Sequence, residues 1–600
     1  MRFVIAIVMF VTAAVMIGVG IAQRTVLAPP DAIEHSVEVA GGAPLIVLDG
    51  ETLNAIEGRQ SIDVVGSGPI VAAYGRTVDV LAWVGDAEHA VISFDDETGE
   101  LVSTLVAGDE TEVPDPYGSD LWLDDYRDTG SLRLAVTVPD DVAFVIASDG
   151  IDPAPDSITL SWPVENDNTV SGWLIVLGGV VLVIGLIVLL WSIHHMRSTR
   201  GPRRKMPKVP KQKPIKPQRQ KAPSDGGSAR RAGRAGLIAA PITVIVLALG
   251  AGPMSAGATT TPTPIPTPVS TTEPSSEPTT EPTATPTPGP VGEPIPAITT
   301  RQVDRIIERV AAAIDAADAA LDPELAAERL TGGALELRLA DYAVRTADSA
   351  IVSSAPVIPA DFNVVLALPQ QIPADGAGWP RTVFVVVKAP DSEETESQPA
   401  IGLMLNQATA RDNYKVESFV TLQSDVPEVA EIAIGAAKLA PDTALLQMAP
   451  DQVAAAYADL LMTDTASASF ELFDLEEDTL VPIWGLASMQ AIQAALPTVA
   501  QAAFTTTPGE TPVVSLATFD AGAIVAVDLR QVVTVTPVEA GATVSPTGSV
   551  LALSGVASSE RGVVATYGAQ LLFSVPPVGT NGKVVLLGYS QGLIAASEVP

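Results

Sequence analysis

Apolar and polar positions follow three different rhythms along the 600-residue chain. In the first, charge is absent for about a membrane's thickness: Phe3–Ala22 and Trp173–Ile193 are uncharged runs. Roughly 20 apolar residues in a helix span about 30 Å of hydrocarbon. A third segment, AGLIAAPITVIVLALGA at 235–251, is shorter and contains Pro241, but uncharged residues continue past it, and it reads as a third crossing. The second rhythm is alternation. Between residues 30 and 170 lie short runs such as SVEVA, APLIVLDG, SIDVVGSG, RTVDVLAWVG, SLRLAVTV and SITLSWPV, punctuated by Asp-Gly and Thr-Gly. About eight such runs predict an all-β sandwich.

The third rhythm opens the C-terminal half. Val303, Ile306, Ile307, Val310 and Ile314 recur on one helical face, and 326–344 continues as helix. Strand patterns follow at 363–368, 381–389, 400–408 and 414–427. The order then repeats, with helices at 450–462 and 488–504 and strands at 512–519, 523–538, 563–577 and 583–600. Helices followed by antiparallel strands, twice over, resemble a tandem of cystatin-like cones of the nuclear-transport-factor-like superfamily. The fold class expected is therefore a multidomain membrane protein: an N-terminal β-sandwich, three transmembrane helices and a C-terminal α+β part.

Charge orients these pieces. The net charge is −36, yet Arg197–Arg234 holds fourteen Lys/Arg and one acid, Asp225. A basic loop between two spans stays in the cytoplasm. This predicts a membrane helix (1–22), an extracytoplasmic β-sandwich domain (23–172), a second helix (173–193), a basic cytoplasmic loop (194–234) and a third helix (235–258). A Thr/Pro-rich stalk (259–297) and two extracytoplasmic α+β domains (298–440 and 441–600) follow. The N-terminus is then cytoplasmic and the C-terminal part outside the cell membrane. The third span also reads as an internal signal peptide, with Arg230, Arg231 and Arg234 before it and Ala256-Gly257-Ala258 as a cleavage site. The stalk, with its repeated proline, is expected to be extended, at about 3.1 Å per residue. Through 197–234 the chain is expected to meet anionic lipids. The loop has no aromatic residue to stack on bases, which argues against nucleic acid.

Chemistry is sparse. There is no cysteine, hence no disulfide and no thiolate site. Gly588-Tyr589-Ser590-Gln591-Gly592 resembles the G-x-S-x-G turn of serine hydrolases, in the form that cutinase-like esterases carry. Such enzymes place an acid and a histidine after the serine. Only ten residues follow Ser590; Glu598 is their single acid and none is histidine. The four histidines are His35, His89, His194 and His195, so no imidazole lies in 298–600, and Lys583 is the nearest alternative base. The pentapeptide reads as part of a strand kinked by glycine. His35 and His89 together are the only histidine pair available to a metal in the outer parts. Two acidic stretches, Asp95, Asp96, Glu97, Glu100 and Asp120, Asp124, Asp125, Asp128, lack EF-hand spacing and read as solvated surface. Trp83, Trp122 and Trp162 read as core rather than a sugar-stacking face. Asp341, Tyr342, Tyr457 and Asp459 sit on predicted helices at the mouth of the expected cones and read as helix surface. No catalytic, cofactor-binding or metal residue is assigned.

The whole layout resembles actinobacterial multi-span cell-envelope proteins of uncharacterised activity, some of which carry an automatic glycosyltransferase label. No Asp-x-Asp metal motif and no nucleotide-binding βαβ unit supports that label here. The three-span topology, the stalk and the absence of a catalytic set predict a membrane-anchored extracytoplasmic binding or scaffold protein whose partners are cell-wall glycan or other envelope proteins. The alternative is an enzyme or accessory factor in surface-polysaccharide assembly.

Overall fold

A computed structural model describes residues 2–26, 32–56, 58–163, 169–198, 293–352, 355–390 and 399–600. The basic loop beyond residue 198, the third apolar segment and the stalk up to 292 lie outside the described residues. Up to residue 198 the chain forms α1 (Arg2–Arg24), β1 (Ala32–Glu38), β2 (Leu45–Asp49), β3 (Gln60–Arg76), α2 (Thr77–Val84), β4 (His89–Asp95), β5 (Glu100–Val106), β6 (Asp124–Val136), β7 (Val142–Ala147), β8 (Ser157–Pro163) and α3 (Thr169–Ser198). Phe3–Arg24 and Ser171–Arg197 are each long and apolar enough to cross a membrane. Their side chains, Val8 and Ile187 among them, are largely exposed, as a lipid-facing surface requires. The two helices run antiparallel, Gly178 against Ile17 and Gly185 against Met9; small residues let helix backbones approach closely.

Strands β1–β8 form one eight-stranded sheet in the order β1-β8-β3-β7-β2-β4-β5, with β6 also on β3. Strand β3 is seventeen residues long. Its first part pairs with β8 and its last part with β7, while β6 follows its other edge. One apolar cluster gathers Ile62, Phe144 and Trp162; a second, on the other face of β2 and β7, gathers Trp83 and Trp122 under α2. The three tryptophans are core, as expected, and the region is β-rich. One predicted strand is wrong: RTVDVLAWVG is the helix α2. Asp79, Val80, Trp83 and Val84 are its buried residues, a helical period, and Gly85 ends it with φ at 59°.

The C-terminal region contains α4 (Thr300–Ala320), α5 (Pro323–Arg329), α6 (Gly332–Ala347), β9 (Asn363–Pro369), β10 (Arg381–Lys388), β11 (Ile401–Gln407) and β12 (Lys415–Leu422). Its second half holds α7 (Pro450–Thr463), α8 (Leu486–Ala495), β13 (Ala500–Pro508), β14 (Val514–Ala517), β15 (Ala523–Pro537), α9 (Gly548–Ser554), β16 (Val563–Val575) and β17 (Val584–Glu598). A helix is predicted over 488–504, but its second half is strand β13. Pro497 disfavours helix in the residue before it, and the threonine-rich run beyond it pairs with β15.

Both halves share a single ten-stranded sheet, ordered β9-β10-β11-β12-β17-β16-β15-β13, with β14 also on β15 and the two-residue strand Phe473–Asp474 on β17. Ile306, Val310, Val385 and Phe419 lie in one core, and Val453, Tyr457, Leu529 and Phe573 in another. A third core, with Phe384, Met404, Leu516 and Leu572, gathers the opposite faces of both half-sheets. The layers therefore run helix, sheet, sheet, helix. The half-sheets join where β12 meets β17, through only two residue pairs, Thr421 with Tyr589 and Leu422 with Gly588. Residues 295–297, counted in the stalk by sequence, belong to this folded body: Ile295–Pro296 pairs with Gln371–Ile372, and Ala297 is buried.

Gly588 makes the joint sterically sensitive. A Cβ there would lie 2.5 Å from the carbonyl oxygen of Thr421. Gly588→Ala is expected to destabilise the protein by about 1–3 kcal/mol, the usual range for overpacking, read as a lower midpoint in thermal or urea unfolding.

Candidate functional site

Among the described residues, a cluster of buried charge lies where residues 20–172 meet residues 288–600, within one compact unit. Asp120 is fully buried. Its carboxylate accepts from both terminal nitrogens of Arg329 and, at 2.9 Å, from the backbone N–H of Tyr414. Arg309 stands 3.6 Å from it and 3.1 Å from Asp125. Arg305 donates to the carbonyls of Trp122 and Leu123, and Gln302 donates to that of Leu121 at 2.8 Å. A second buried acid, Asp79, sits between Arg76 at 2.6 Å and Arg381 at 2.8 Å. Arg76 continues across the boundary to the carbonyls of Pro296 and Ala297. Arg411 donates to the carbonyls of Trp83 and Val84, both at 2.8 Å.

This corrects the reading of the second acidic stretch as solvated surface. Asp120 and Asp125 are enclosed by arginines, and only Asp128 at the end of the run is exposed. The physical reason is that a carboxylate leaves water when a planar guanidinium and a backbone N–H replace its hydration together. The first acidic stretch is the β4–β5 turn, as expected. Asp95 there accepts from the N–H groups of Glu97 and Thr98, and these backbone bonds, Thr98's first, hold its carboxyl below the usual range.

A different pair of acids lies on the inner sheet faces: Glu417 of β12, which is buried, and Asp528 of β15, which keeps partial exposure. Burial pushes the Asp528 carboxyl up to about 6, against a hydrogen bond from Thr511 that favours the anion; the charge of Glu417 adds to the rise. Burial likewise raises Glu417, and lowers Lys438, the cation that opposes it. The N-terminus of α6 caps the pair, with Asp528 Oδ2 only 2.5 Å from where a Cβ on Gly333 would stand. That helix end favours an anion, yet desolvation outweighs it. The cavity beside Asp528, Arg530, Glu336 and Gln570 measures about 10 Å³, room for about one water and no substrate.

The family comparison falls on this half of the chain: residues 294–598 match the model of a domain of unknown function, DUF8094. The chain belongs to that family. No curated protein matches the sequence significantly. The DUF8094 region begins just where the folded body resumes at residues 295–297.

Within the DUF8094 region, the helix residues singled out from sequence are separated. Tyr342 donates to Asp318 at 2.6 Å, and Tyr457 donates to Asp478 at 2.6 Å. Each tyrosine is buried in a helix-side core, and burial raises both phenols. Asp459 accepts from the Ser467 hydroxyl at 2.6 Å. Asp341 is buried, 3.5 Å from Arg345. Asp341, Tyr342 and Tyr457 are thus buried rather than on the helix surface or cone mouth expected, whereas Asp459 is exposed on its helix. Ser590 lies inside β17, so no strand–turn–helix elbow forms around it. In the N-terminal domain, His35 is edge-on to the rings of Phe94 and Trp162, and His89 bonds the carbonyl of Ala87 at 2.7 Å. Sequence reasoning missed Glu417, Asp528 and the arginine junction. A usable signal was present: the DUF8094 region has ten arginines and four lysines, a bias toward the residue that pairs with buried carboxylates.

Two outcomes follow from these clusters. Asp120→Ala leaves Arg329 and the Tyr414 N–H buried without their acceptor and is expected to cost about 3–5 kcal/mol in urea unfolding, whereas Asp128→Asn is expected to stay within about 0.5 kcal/mol. For Asp528, the folded chain holds the proton more tightly than the unfolded chain, whose aspartate titrates near 3.9. Its protonation thus favours the fold below about pH 4, and that contribution is lost as pH rises through about 6. Asp528→Asn should therefore be more stable than the parent by about 1–2 kcal/mol at pH 7.5, with the gap closing toward pH 4 in parallel melts.

Proposed function

We propose that the chain is a membrane-anchored extracytoplasmic binding or scaffold protein of the bacterial cell envelope. The observation that carries this reading is the arginine–aspartate junction, which makes residues 20–172 and 288–600 one body. Parts joined by buried ion pairs share one side of a membrane. With α1 and α3 both crossing, residues 32–163 lie on one side and residue 199 on the other. The chain must then cross again before 293, and 235–251 is the segment with the sequence for it. The basic loop puts 199–234 in the cytoplasm and both folded parts outside. Cleavage after Ala258 would leave the DUF8094 region held to the anchored domain by the junction rather than released.

The tandem cystatin-like reading of the DUF8094 region is supported by its two halves, each with helices before antiparallel strands. The alternative, an enzyme or accessory factor in surface-polysaccharide assembly, draws on Glu417 and Asp528, two neighbouring carboxyls with raised pKa. Their cavity is too small for a sugar, which favours the binding role.

Single cysteines test the topology, because the chain has none of its own. Placed at Ser276 and at Ser558, they are expected to react with an impermeant maleimide on intact cells, and at Ser228 only after permeabilisation. Labelling of Ser228 with protection of Ser558 would overturn the proposed orientation.

A further inference from the structure

Three depressions of about 380, 310 and 740 Å³ open on the DUF8094 region, and they share walls. The first and second have Gln591 in common; the second and third have Leu422 and Gln423 in common. Register aligns them. Thr421 pairs with Tyr589 and Leu422 with Gly588, so the line that descends β17 from Leu593 to Tyr589 continues in the same direction along β12 from Thr421 toward Val426. At about 3.3 Å per strand residue this is a groove roughly 30 Å long.

Its polar lining is mostly uncharged in the middle: Tyr567, Gln591, Tyr589, Thr479, Gln423 and Ser424. Thr479 already bonds Gln423 and Tyr589, which fixes those side chains before any ligand arrives. Two hydroxyls on the wall, Ser590 and Ser424, are enclosed yet have no hydrogen-bond partner in the protein. Such groups are costly unless something completes them.

We infer that this groove binds a linear, uncharged glycan. Hydroxyls and amides both donate and accept, which suits a hydroxyl-rich chain, and the two tyrosine rings offer flat apolar faces with polar tips. A peptide added as a strand is disfavoured at the centre of the groove, because Thr421 and Leu422 of β12 already pair there with Tyr589 and Gly588 of β17. A polyanion is disfavoured by the chain's net charge of −36. The inference rests on the extracytoplasmic placement proposed above, where such polymers are met.

The test uses the full chain in nanodiscs, titrated calorimetrically with linear hexasaccharides of glucose, mannose, galactose and N-acetylglucosamine. At least one is expected to bind saturably. Gln423→Ala with Gln591→Ala should weaken it by about tenfold or more, as loss of hydrogen bonds in a fitted site does, with an unchanged melting temperature. Tyr589→Phe, which removes one hydroxyl and keeps the ring, should weaken it less. No binding by any of the four, equal binding by the double variant, or Gln591-dependent binding of an unstructured peptide panel instead would each overturn the inference. Cysteine labelling separates the two proposals. A chain labelled from outside that binds none of the sugars loses the groove alone, and a sugar-binding chain with Ser558 protected loses the orientation alone.

Discussion

Burial of Asp120 is the constraint on which the arrangement of this protein depends. A carboxylate with no solvent exposure is tolerable only where cations and N–H groups replace its water, and all of these come from the other end of the sequence: Arg329, Arg309 and the backbone of Tyr414. The acid therefore has no acceptable environment unless residues 294–598 have folded and docked. Asp79 imposes the same condition through Arg381. Ion pairs of this kind contribute little net stability beside apolar contacts such as Ala410 under α2. They decide instead which surfaces can meet, because a misplaced docking strands charge.

That condition links distant parts of the chain. The segment carrying Asp120 is held by its own domain, where Trp122 donates to the carbonyl of Pro116 at 2.7 Å and packs 5.4 Å from Trp83. The arginines that meet it lie on α4 and at the end of α5, while Arg381 at the start of β10 meets Asp79 on α2. Both domains thus present their polar groups from rigid elements, and the β-rich domain of residues 32–163 and the DUF8094 region lie in one compact unit although 94 residues outside the described set, 199–292, stand between them in sequence.

Local rules made most elements legible. The stripe from Val303 to Ile314 carries a helical period, β10 and β11 are short apolar runs buried on both faces, and the absence of imidazole in residues 298–600 already argued against a conventional triad. The failures have a common cause. RTVDVLAWVG alternates well enough to pass as a strand, and the helix won because Val80, Trp83 and Val84 bury together against β7. The run after Pro497 looked helical from its alanines, and pairing with β15 overrode propensity. Asp120 read as solvated because its partners lie about 200 residues away, and no window along the chain brings Arg309 or Arg329 beside it. Glu417 and Asp528 were invisible for the same reason: an isolated acid in a strand shows its environment only when the opposing strand is known.

The pentapeptide at 588–592 shows how one short motif can satisfy constraints unrelated to the chemistry it resembles. Gly588 is required by the approach of Thr421, which joins the half-sheets. Tyr589 packs toward the second helix-side core while its hydroxyl meets Thr479, and Gln591 faces the depressions on either side of it. Ser590 pairs across to Gln570, whose side-chain oxygen in turn accepts from the Phe419 N–H at 2.7 Å. Glycine at the joint, with alternating side chains beyond it, is what a strand needs when it closes a sheet and also walls a groove. A nucleophile elbow needs a sharp turn that leads into a helix. Here the backbone stays extended to Glu598, so the Ser590 hydroxyl stays enclosed within the sheet, and no imidazole in residues 298–600 could make it attack a substrate.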